Sequence, residues 1–284
     1  MSRPHHAPAR SGRLRVLTAL LLLVLAAASF WAAVHHRDLP QTERAAAYAR
    51  DISITASATY VTLRTLNAFL SSAQELEVGV SFIGSGSAQP LKVLEPIDDT
   101  VERIAAVVFG VMLASGVLAV TMGPLGAVGF ALLGFAAVLW AGAVAVGRVR
   151  PLGGAPRQLA VYGGFLGIGI PVAFLLSALI ADRLTAETWA EHSRVIADIT
   201  ATVEDEGIDP ADTGGVRGMM DRVEQYQTLA SNLTSRADEL IGSLISLLSV
   251  YIFKVLVLPV MLIGGLFVIA RKLGAAAQTG KARS

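Results

Sequence analysis

Long apolar runs alternate with polar stretches along this chain. The apolar segments of spanning length, or close to it, are 16–34, 104–122, 126–146, 159–181 and 248–270. Runs of about eighteen or more apolar residues are typical of transmembrane helices. The two long polar segments, 35–103 and 182–247, carry apolar residues at the three-to-four spacing of helices. The pattern therefore predicts an all-α integral membrane protein.

The central apolar block raises the main question of topology. It runs from Ile104 to Val146 without a charged residue and is interrupted once, by Met-Gly-Pro-Leu-Gly at 122–126. Glycine and proline commonly end helices, so we predict two segments, 104–122 and 126–146. Whether the first of them crosses the membrane determines which side every later loop faces.

Charge is strongly segregated along the sequence. Three segments, 1–15, 147–157 and 271–284, together hold eleven Lys and Arg and no acid. All twenty-two acids lie in 35–103, with nine acids against six basic residues, and in 182–247, with thirteen against five. Cytoplasmic segments collect Lys and Arg, so the three acid-free segments, and with them both termini, are predicted to be cytoplasmic.

This charge pattern requires an odd number of crossings between residues 35 and 148. We therefore favour four transmembrane helices, at 16–34, 126–146, 159–181 and 248–270, with 104–122 as a re-entrant or interfacial helix. Hydropathy alone would count 104–122 as a fifth crossing, and this alternative stays open. The first helix also has a competing interpretation as a cleaved signal peptide, although its apolar run is longer than a usual signal.

The first polar segment, 35–103, is predicted to be extracytoplasmic and mainly helical. Residues 42–77 form a helix whose apolar stripe is Ile52, Ala56, Thr59, Leu63, Leu66, Leu70 and Ala73. Residues 78–83 alternate as a short strand or extended turn would, and Gly84–Ser87 is a flexible link. Asp99 and Glu102 have the spacing of a capping box, which marks a helix start.

The second polar segment, 182–247, is predicted to be an extracytoplasmic helical hairpin. One helix covers 184–206, a loop 207–215, and a second helix starts at 216. Its apolar residues recur without interruption at alternating spacings of three and four residues, as in a coiled coil, and we call this stripe the seam. The seam is Val216, Met219, Val223, Tyr226, Ala230, Leu233, Ala237, Leu240, Leu244, Leu247 and Tyr251. We expect this helix to continue unbroken into the span 248–270.

A short stretch before the membrane block resembles a known pattern. Leu94–Arg103 has the form L-[DE]-P-x-x-D-x-x-E-[RQ], and Leu66-Asn67-Ala68, Ala73-Gln74-Glu75, Pro171 and Leu258-Pro259 extend the likeness. The stretch resembles an uncharacterised family of bacterial inner-membrane proteins with no assigned activity. The resemblance implies a related helical membrane fold, and it implies no catalytic residue.

Composition agrees with the membrane assignment and limits the chemistry. Hydrophobic residues make up 54% of the chain, charged residues 16%, and the mean hydropathy is +0.60. The absence of cysteine excludes disulfides, thiolate metal sites and cysteine nucleophiles. A net charge of +1 gives no reason to expect a nucleic-acid partner. The abundance of Arg, Ala and Gly indicates a GC-rich bacterium, hence the bacterial inner membrane.

Few residues suggest a functional site. We predict no catalytic, cofactor-binding or metal-binding residue, and no enzyme activity; the pair His35 and His36 with Asp38 is better explained as solvated side chains than as metal ligands. Lys254 is the one ionisable residue inside a span. It is either a pore-lining or ion-pairing group, with Asp182, Asp238 or Glu239 of a neighbour as the candidate partner, or it extends to the headgroups. We favour the last interpretation.

Two classes of function follow. An oligomeric membrane scaffold or pore-like assembly is suggested by the unbroken seam and the small-residue helix faces. Its expected partners are the lipid bilayer and further copies of the chain. The alternative is a small-solute or ion transporter, which requires broken helices near the midplane and, preferably, two repeated halves.

Overall fold

The computed structural model describes residues 10–81, 94–146, 154–205, 228 and 231–279, and within these ranges every regular element is helical. The helices are α1 (Arg10–Val34), α2 (Pro40–Ser81), α3 (Glu95–Ala145), α4 (Ala155–Gly164), α5 (Ile170–Asp205), α6 (Ala237–Ile252) and α7 (Leu258–Thr279). A 3-10 turn, His36–Asp38, joins α1 to α2. Two π-helical turns, Phe165–Gly169 and Phe253–Val257, join α4 to α5 and α6 to α7.

The predicted all-α fold is confirmed. Within the described residues, four helical stretches are long and apolar enough to cross a membrane: Gly12–Val34, Glu95–Ala145, Ala155–Ala201 and Ala237–Ile269. Each contains one or two of the apolar runs identified in the sequence. The chain therefore has the features of a multi-pass helical membrane protein.

The predicted break in the central block is wrong. Residues 104–122 do not form a separate re-entrant or interfacial helix, because α3 continues through Pro124 to Ala145. Proline removes one backbone donor, but a membrane helix tolerates it when neighbouring groups pack against the site. The two glycines beside it serve such packing: Cβ atoms built at Gly123 and Gly126 would lie 3.1 Å from His36 and 3.5 Å from Thr42. They are sites of close approach rather than helix ends.

Two local predictions before α3 are also corrected. Residues 78–81, predicted as a strand or extended turn, are the last turn of α2. The helix preference of the preceding forty residues outweighs an alternation of only a few side chains. Helix α3 starts at Glu95, so Asp99 lies inside the helix and does not cap it. Phe82, Ile83 and the predicted link 84–87 lie outside the described residues.

The predicted hairpin is present in part. The helix predicted at 184–206 lies within α5, whereas the loop 207–215 and the seam residues 216–227 lie outside the described residues. Arg236 adopts a turn between helical residues 231–235 and α6, with φ −106° and ψ 9°, so the second helix is not unbroken. Backbone bonds from Arg236 N–H to Asn232 O, at 3.2 Å, and from Leu240 N–H to Arg236 O, at 2.9 Å, have helical spacing on both sides of that turn.

The chain divides into two compact units, each assembled from separate stretches of sequence. The first unit consists of 1–49, 117–178 and 259–284. In it Phe30 of α1 meets Phe135 of α3 edge to face at 5.2 Å, and Phe165 meets Phe267 at 5.8 Å. Helices α3 and α4 cross on glycine, since a Cβ atom at Gly163 would lie 2.7 Å from Gly129 O. Small residues at such crossings allow membrane helices to approach closely.

The second unit consists of 50–116 and 179–258. Segments of α2 and α3 pack antiparallel in it, as Ser53 Oγ donates to Met112 O at 3.0 Å and Tyr60 meets Phe109 at 5.5 Å between ring centres. The predicted apolar stripe of α2 forms part of the core. The fully buried side chains include Leu63, Leu66 and Leu70 of α2, Val101 and Val108 of α3, and Leu240 and Leu244 of α6.

Candidate functional site

Lys254 lies in the π-helical turn between α6 and α7 and is paired within its own chain. Its Nζ donates to Asp182 Oδ1 of α5 at 2.9 Å. The side chain of Lys254 is 20% exposed and that of Asp182 is 68% exposed. A partner in a neighbouring subunit is therefore not needed to place the ammonium group, because an intramolecular carboxylate already does so.

The π-helical turn around Lys254 has a local cause. Leu258 N–H donates to Phe253 O, five residues back, and Pro259 follows directly. Proline lacks an N–H and its ring crowds the carbonyl one turn earlier, so a widened turn before it relieves the conflict. The same arrangement occurs before Pro171, where Ile170 N–H donates to Phe165 O. Pro171, near the middle of the span 159–181, is thus also preceded by a widened turn.

A buried aromatic and hydroxyl cluster lies one turn from Lys254. Tyr251, only 2% exposed, shares a hydrogen bond of 2.7 Å with Thr59 of α2. Its ring also meets Trp189 of α5 edge to face, with 5.3 Å between centres. The seam residue Tyr251 therefore joins three helices of the second unit. Only the tertiary structure reveals this contact, because the seam pattern predicts no more than that Tyr251 is buried.

The rest of the seam is also buried against the same chain. Leu233, Leu240, Leu244 and Leu247 are buried, and Ala237 is half-buried. On the adjoining face of α6, Ser243 Oγ lies 3.2 Å from His192 Nδ1 of α5. Contacts within the chain account for the burial of these seam residues. A coiled coil between subunits therefore stays a prediction.

Two ion pairs of Arg236 connect the turn before α6 to its surroundings. Arg236 donates to Glu239 at 3.0 Å and to Asp198 of α5 at 2.9 Å. The hydrogen bond to Glu239, followed by that to Asp198, raises the pKa of Arg236 above its ordinary value. The guanidinium group thus connects the two helices of the hairpin, α5 and α6, at the end away from Lys254.

A second polar feature, in the first unit, was missed by sequence reasoning. The start of α2 packs against the middle of the uncharged block of α3, since Thr42 lies at Gly126 and His36 at Gly123. The side chain of Thr42 is buried, and its hydroxyl has no hydrogen-bond partner among the described residues. The residues that follow Thr42, Glu43 and Arg44, are exposed. The signal in the sequence is the pair Gly123 and Gly126, whose pattern also predicts a helix break.

The two histidines before α2 are bound to the end of α1. His35 Nδ1 lies 3.0 Å from Trp31 O, and its ring stacks on the Trp31 indole at 4.6 Å. His36 Nδ1 lies 3.0 Å from Ala33 O. Among the residues that the structure describes, no three His, Cys, Asp or Glu side chains form a group suited to a metal ion. The rings pack on the last turn of α1, where Trp31 O also accepts from the backbone N–H of His35 at 2.9 Å.

No family model, no curated protein and no solved structure matches this chain. The motif resemblance around Leu94–Arg103 therefore stays a prediction.

Proposed function

We propose that this chain is a multi-pass protein of the bacterial inner membrane that assembles into an oligomeric scaffold or pore-like complex. The continuous helix α3 supports the four-crossing topology, because one unbroken helix crosses a bilayer at most once. Its 51 residues extend about 76 Å at 1.5 Å each, more than twice the hydrocarbon thickness of about 30 Å. With one crossing there, both termini and the loop 147–157 face the cytoplasm.

The observation that carries the proposal is the depth of the charged start of α2. Gly129 of α3 contacts Gly167, and the two helices run antiparallel at that point. Gly126 is three residues outward from Gly129, as Ile170 is from Gly167, so Gly126 is level with the middle of the span 159–181. Thr42 packs on Gly126. A bilayer centred on this span places the first turns of α2 at core depth, whereas one centred on 126–146 places them at its outer surface; we propose the deeper position.

Exposed charges at that depth need protein or water around them. Glu43 and Arg44 are exposed on the surface of a single chain. Ionisable side chains in the hydrocarbon core are costly and face a bundle interior or a water-filled cavity. The start of α2 thus lines either a contact between subunits or an aqueous space. Both arrangements belong to an oligomeric or pore-like assembly.

The test uses the natural absence of cysteine. Single substitutions Glu43→Cys and Arg44→Cys should react with a charged, membrane-impermeant maleimide in a pore, or become protected on assembly in a scaffold. Leu21→Cys, on the exposed apolar surface of α1, is the control and should not react in membranes. Native mass spectrometry in mild detergent gives the number of copies. A monomer whose residues 43 and 44 are as unreactive as 21 would exclude both forms of assembly.

Topology is tested separately by reporters. Fusions after Arg150 and after Arg283 should report cytoplasm, and a fusion near Gly214 should report the periplasm. A periplasmic signal at Arg150 would contradict the four-crossing arrangement and leave the five-crossing alternative.

A transporter of a small solute or ion is the second candidate. The observation that favours it is the pair of π-helical turns before Pro171 and Pro259. Irregular helices near the midplane are used by transporters to bind substrates and ions. A monomer whose Glu43→Cys variant still reacts with the aqueous reagent would support this candidate, because a monomer can enclose a water-filled cavity without forming a multi-subunit pore.

A further inference from the structure

The helical stretch formed by α6 and α7 contains a weak point, which we call the joint, at residues 253–259. Phe253 O accepts a backbone hydrogen bond from the N–H five residues on, so Lys254 O loses the donor that a regular α-helix would supply. Pro259 has no N–H and leaves Val255 O without its helical donor as well. Helices bend most readily at prolines and π-helical turns. The joint is therefore the place where the direction of α7 relative to α6 can change.

Contacts on the α6 side fix the helix just before the joint. Tyr251 shares a hydrogen bond of 2.7 Å with Thr59 of α2, and its ring meets Trp189 of α5 with 5.3 Å between centres. Leu247 and Val250 are buried on the same helix. Because α6 is anchored to two other helices at this level, we expect bending to occur in the residues that follow.

Packing supports the joint from one side only. Leu258 and Pro259 are buried against the chain. The side chains on the other side of the joint and directly after it are exposed; they are Leu256, Val257, Val260 and Met261. Segments with few buried contacts open locally more easily than a helical core. A contact from the neighbouring helix α5 therefore affects directly how often the joint opens.

Lys254 and Asp182 supply such a contact. Lys254 lies inside the joint, and its Nζ donates to Asp182 Oδ1 of α5 at 2.9 Å. The carboxylate is 68% exposed, so dissolved ions reach it and screen the pair. An ion pair of this kind is weak. It acts, however, on a local opening equilibrium, where a small free energy changes the open fraction several-fold.

We propose that Lys254 and Asp182 form a latch that keeps the joint closed, and that the joint opens when ions in the surrounding solution weaken this pair. The latch is a regulatory device, because it couples the ionic strength on the side that Asp182 faces to the direction of α7. This inference goes beyond the proposed function, since it concerns a single chain and holds whether or not copies assemble.

Hydrogen–deuterium exchange of the full chain in lipid nanodiscs measures the opening of the joint. At low salt, Lys254→Gln should raise the exchange rate at 256–258 by about twofold to fivefold. This rise corresponds to about 0.4–1 kcal/mol at about 1.4 kcal/mol for each factor of ten, within the range of an exposed ion pair. Exchange at 240–247 should stay as in wild type. An unchanged rate at 256–258, or an equal rise along all of α6, would overturn the proposal.

Salt dependence separates a latch from a static contact. Raising NaCl from about 0.1 M to about 1 M shortens the screening length from about 10 Å to about 3 Å. Wild-type exchange at 256–258 should then rise toward the rate of Lys254→Gln, whereas this variant should not respond. Arg236→Gln is the matched control, because it removes exposed ion pairs at the other end of α6 and should leave 256–258 unchanged. The same salt response in wild type and in Lys254→Gln would contradict the latch.

Pro259→Ala tests the joint itself. Alanine restores an N–H for Val255 O, so the helix can regain regular bonds. In this background Lys254→Gln should change exchange at 256–258 by less than about twofold, and an undiminished effect would overturn the role of the joint. A joint without salt response in an oligomeric wild type would overturn the latch and leave the proposed assembly intact. A monomeric wild type with a salt-sensitive joint would do the reverse.

Discussion

Lys254 Nζ lies 2.9 Å from Asp182 Oδ1, and this pair joins the turn before α7 to α5. The ammonium group is mostly shielded while the carboxylate is mostly exposed. An isolated positive ring at a pore mouth is thus weakened by a carboxylate in the same chain. Ion pairing and extension of the side chain toward the headgroups act together here, because the partner lies on the more exposed side.

The ion pair should contribute little to stability. Lys254→Gln is expected to lower the unfolding free energy by about 1 kcal/mol or less, since exposed pairs are worth roughly 0–1 kcal/mol. The double variant Lys254→Asp with Asp182→Lys, which exchanges the two charges, should recover more than half of the unfolding free energy that either single substitution loses. Thermal unfolding in detergent measures both. If Lys254→Gln instead changed ion conductance in planar bilayers while assembly was retained, the pore-lining role of Lys254 would gain direct support.

The buried seam before α6 should not accept a charge. Leu233 is 4% exposed, and Leu233→Asp is expected to cost at least about 3 kcal/mol, from lost apolar burial and an unpaired buried carboxylate. Ser231→Asp is the control, because Ser231 is exposed two residues away; it should change stability by less than about 0.5 kcal/mol. Chemical unfolding followed by tryptophan fluorescence compares them. Equal effects would show that the helix is not packed through this seam.

Neighbouring glycines should differ in their tolerance of a methyl group. At Gly163 an added Cβ would lie 2.7 Å from Gly129 O and 2.8 Å from Leu133 N, both backbone atoms, whereas at Gly164 it would meet nothing within 4 Å. Gly163→Ala is expected to cost about 1–3 kcal/mol through overpacking. Gly164→Ala should be neutral or stabilising by up to about 1 kcal/mol, because alanine favours the helix. Identical thermal midpoints for the two variants would argue against the close crossing of α3 and α4.

The hydroxyl contact between Tyr251 and Thr59 should be measurable as a coupling. Tyr251→Phe removes one hydrogen bond and is expected to cost about 0.5–1.5 kcal/mol. Thr59→Val should cost a similar amount, and the double variant less than the sum, with a coupling of at least about 0.5 kcal/mol. Tyr251→Ala, which also removes the ring packed on Trp189, should cost about 3–5 kcal/mol. Strictly additive single substitutions would show that the hydroxyls are not bonded.

Several predictions are wrong because the same sequence pattern is compatible with two different local structures, which the sequence alone does not distinguish. The sequence predicts a helix end at Gly123, Pro124 and Gly126, yet Gly123 and Gly126 are places where His36 and Thr42 approach α3. A glycine without a Cβ atom serves both a turn and a close contact, and only the partner distinguishes them. Likewise the alternation at 78–81 was too short to outweigh the helix that precedes it.

What the sequence by itself determined was the helical membrane class and the helix faces. Apolar length and three-to-four spacing depend on each residue's own side chain, so the four long apolar helices and the buried faces at Leu63, Leu66, Leu70 and Leu240 followed directly from them. The tertiary structure alone decided the continuity of α3 and which helices meet: the pairing of Lys254 with Asp182, the bond between Tyr251 and Thr59, and the packing of Thr42 beside the uncharged block. These contacts join residues far apart in the chain, and their energies depend on relative positions that no local pattern records.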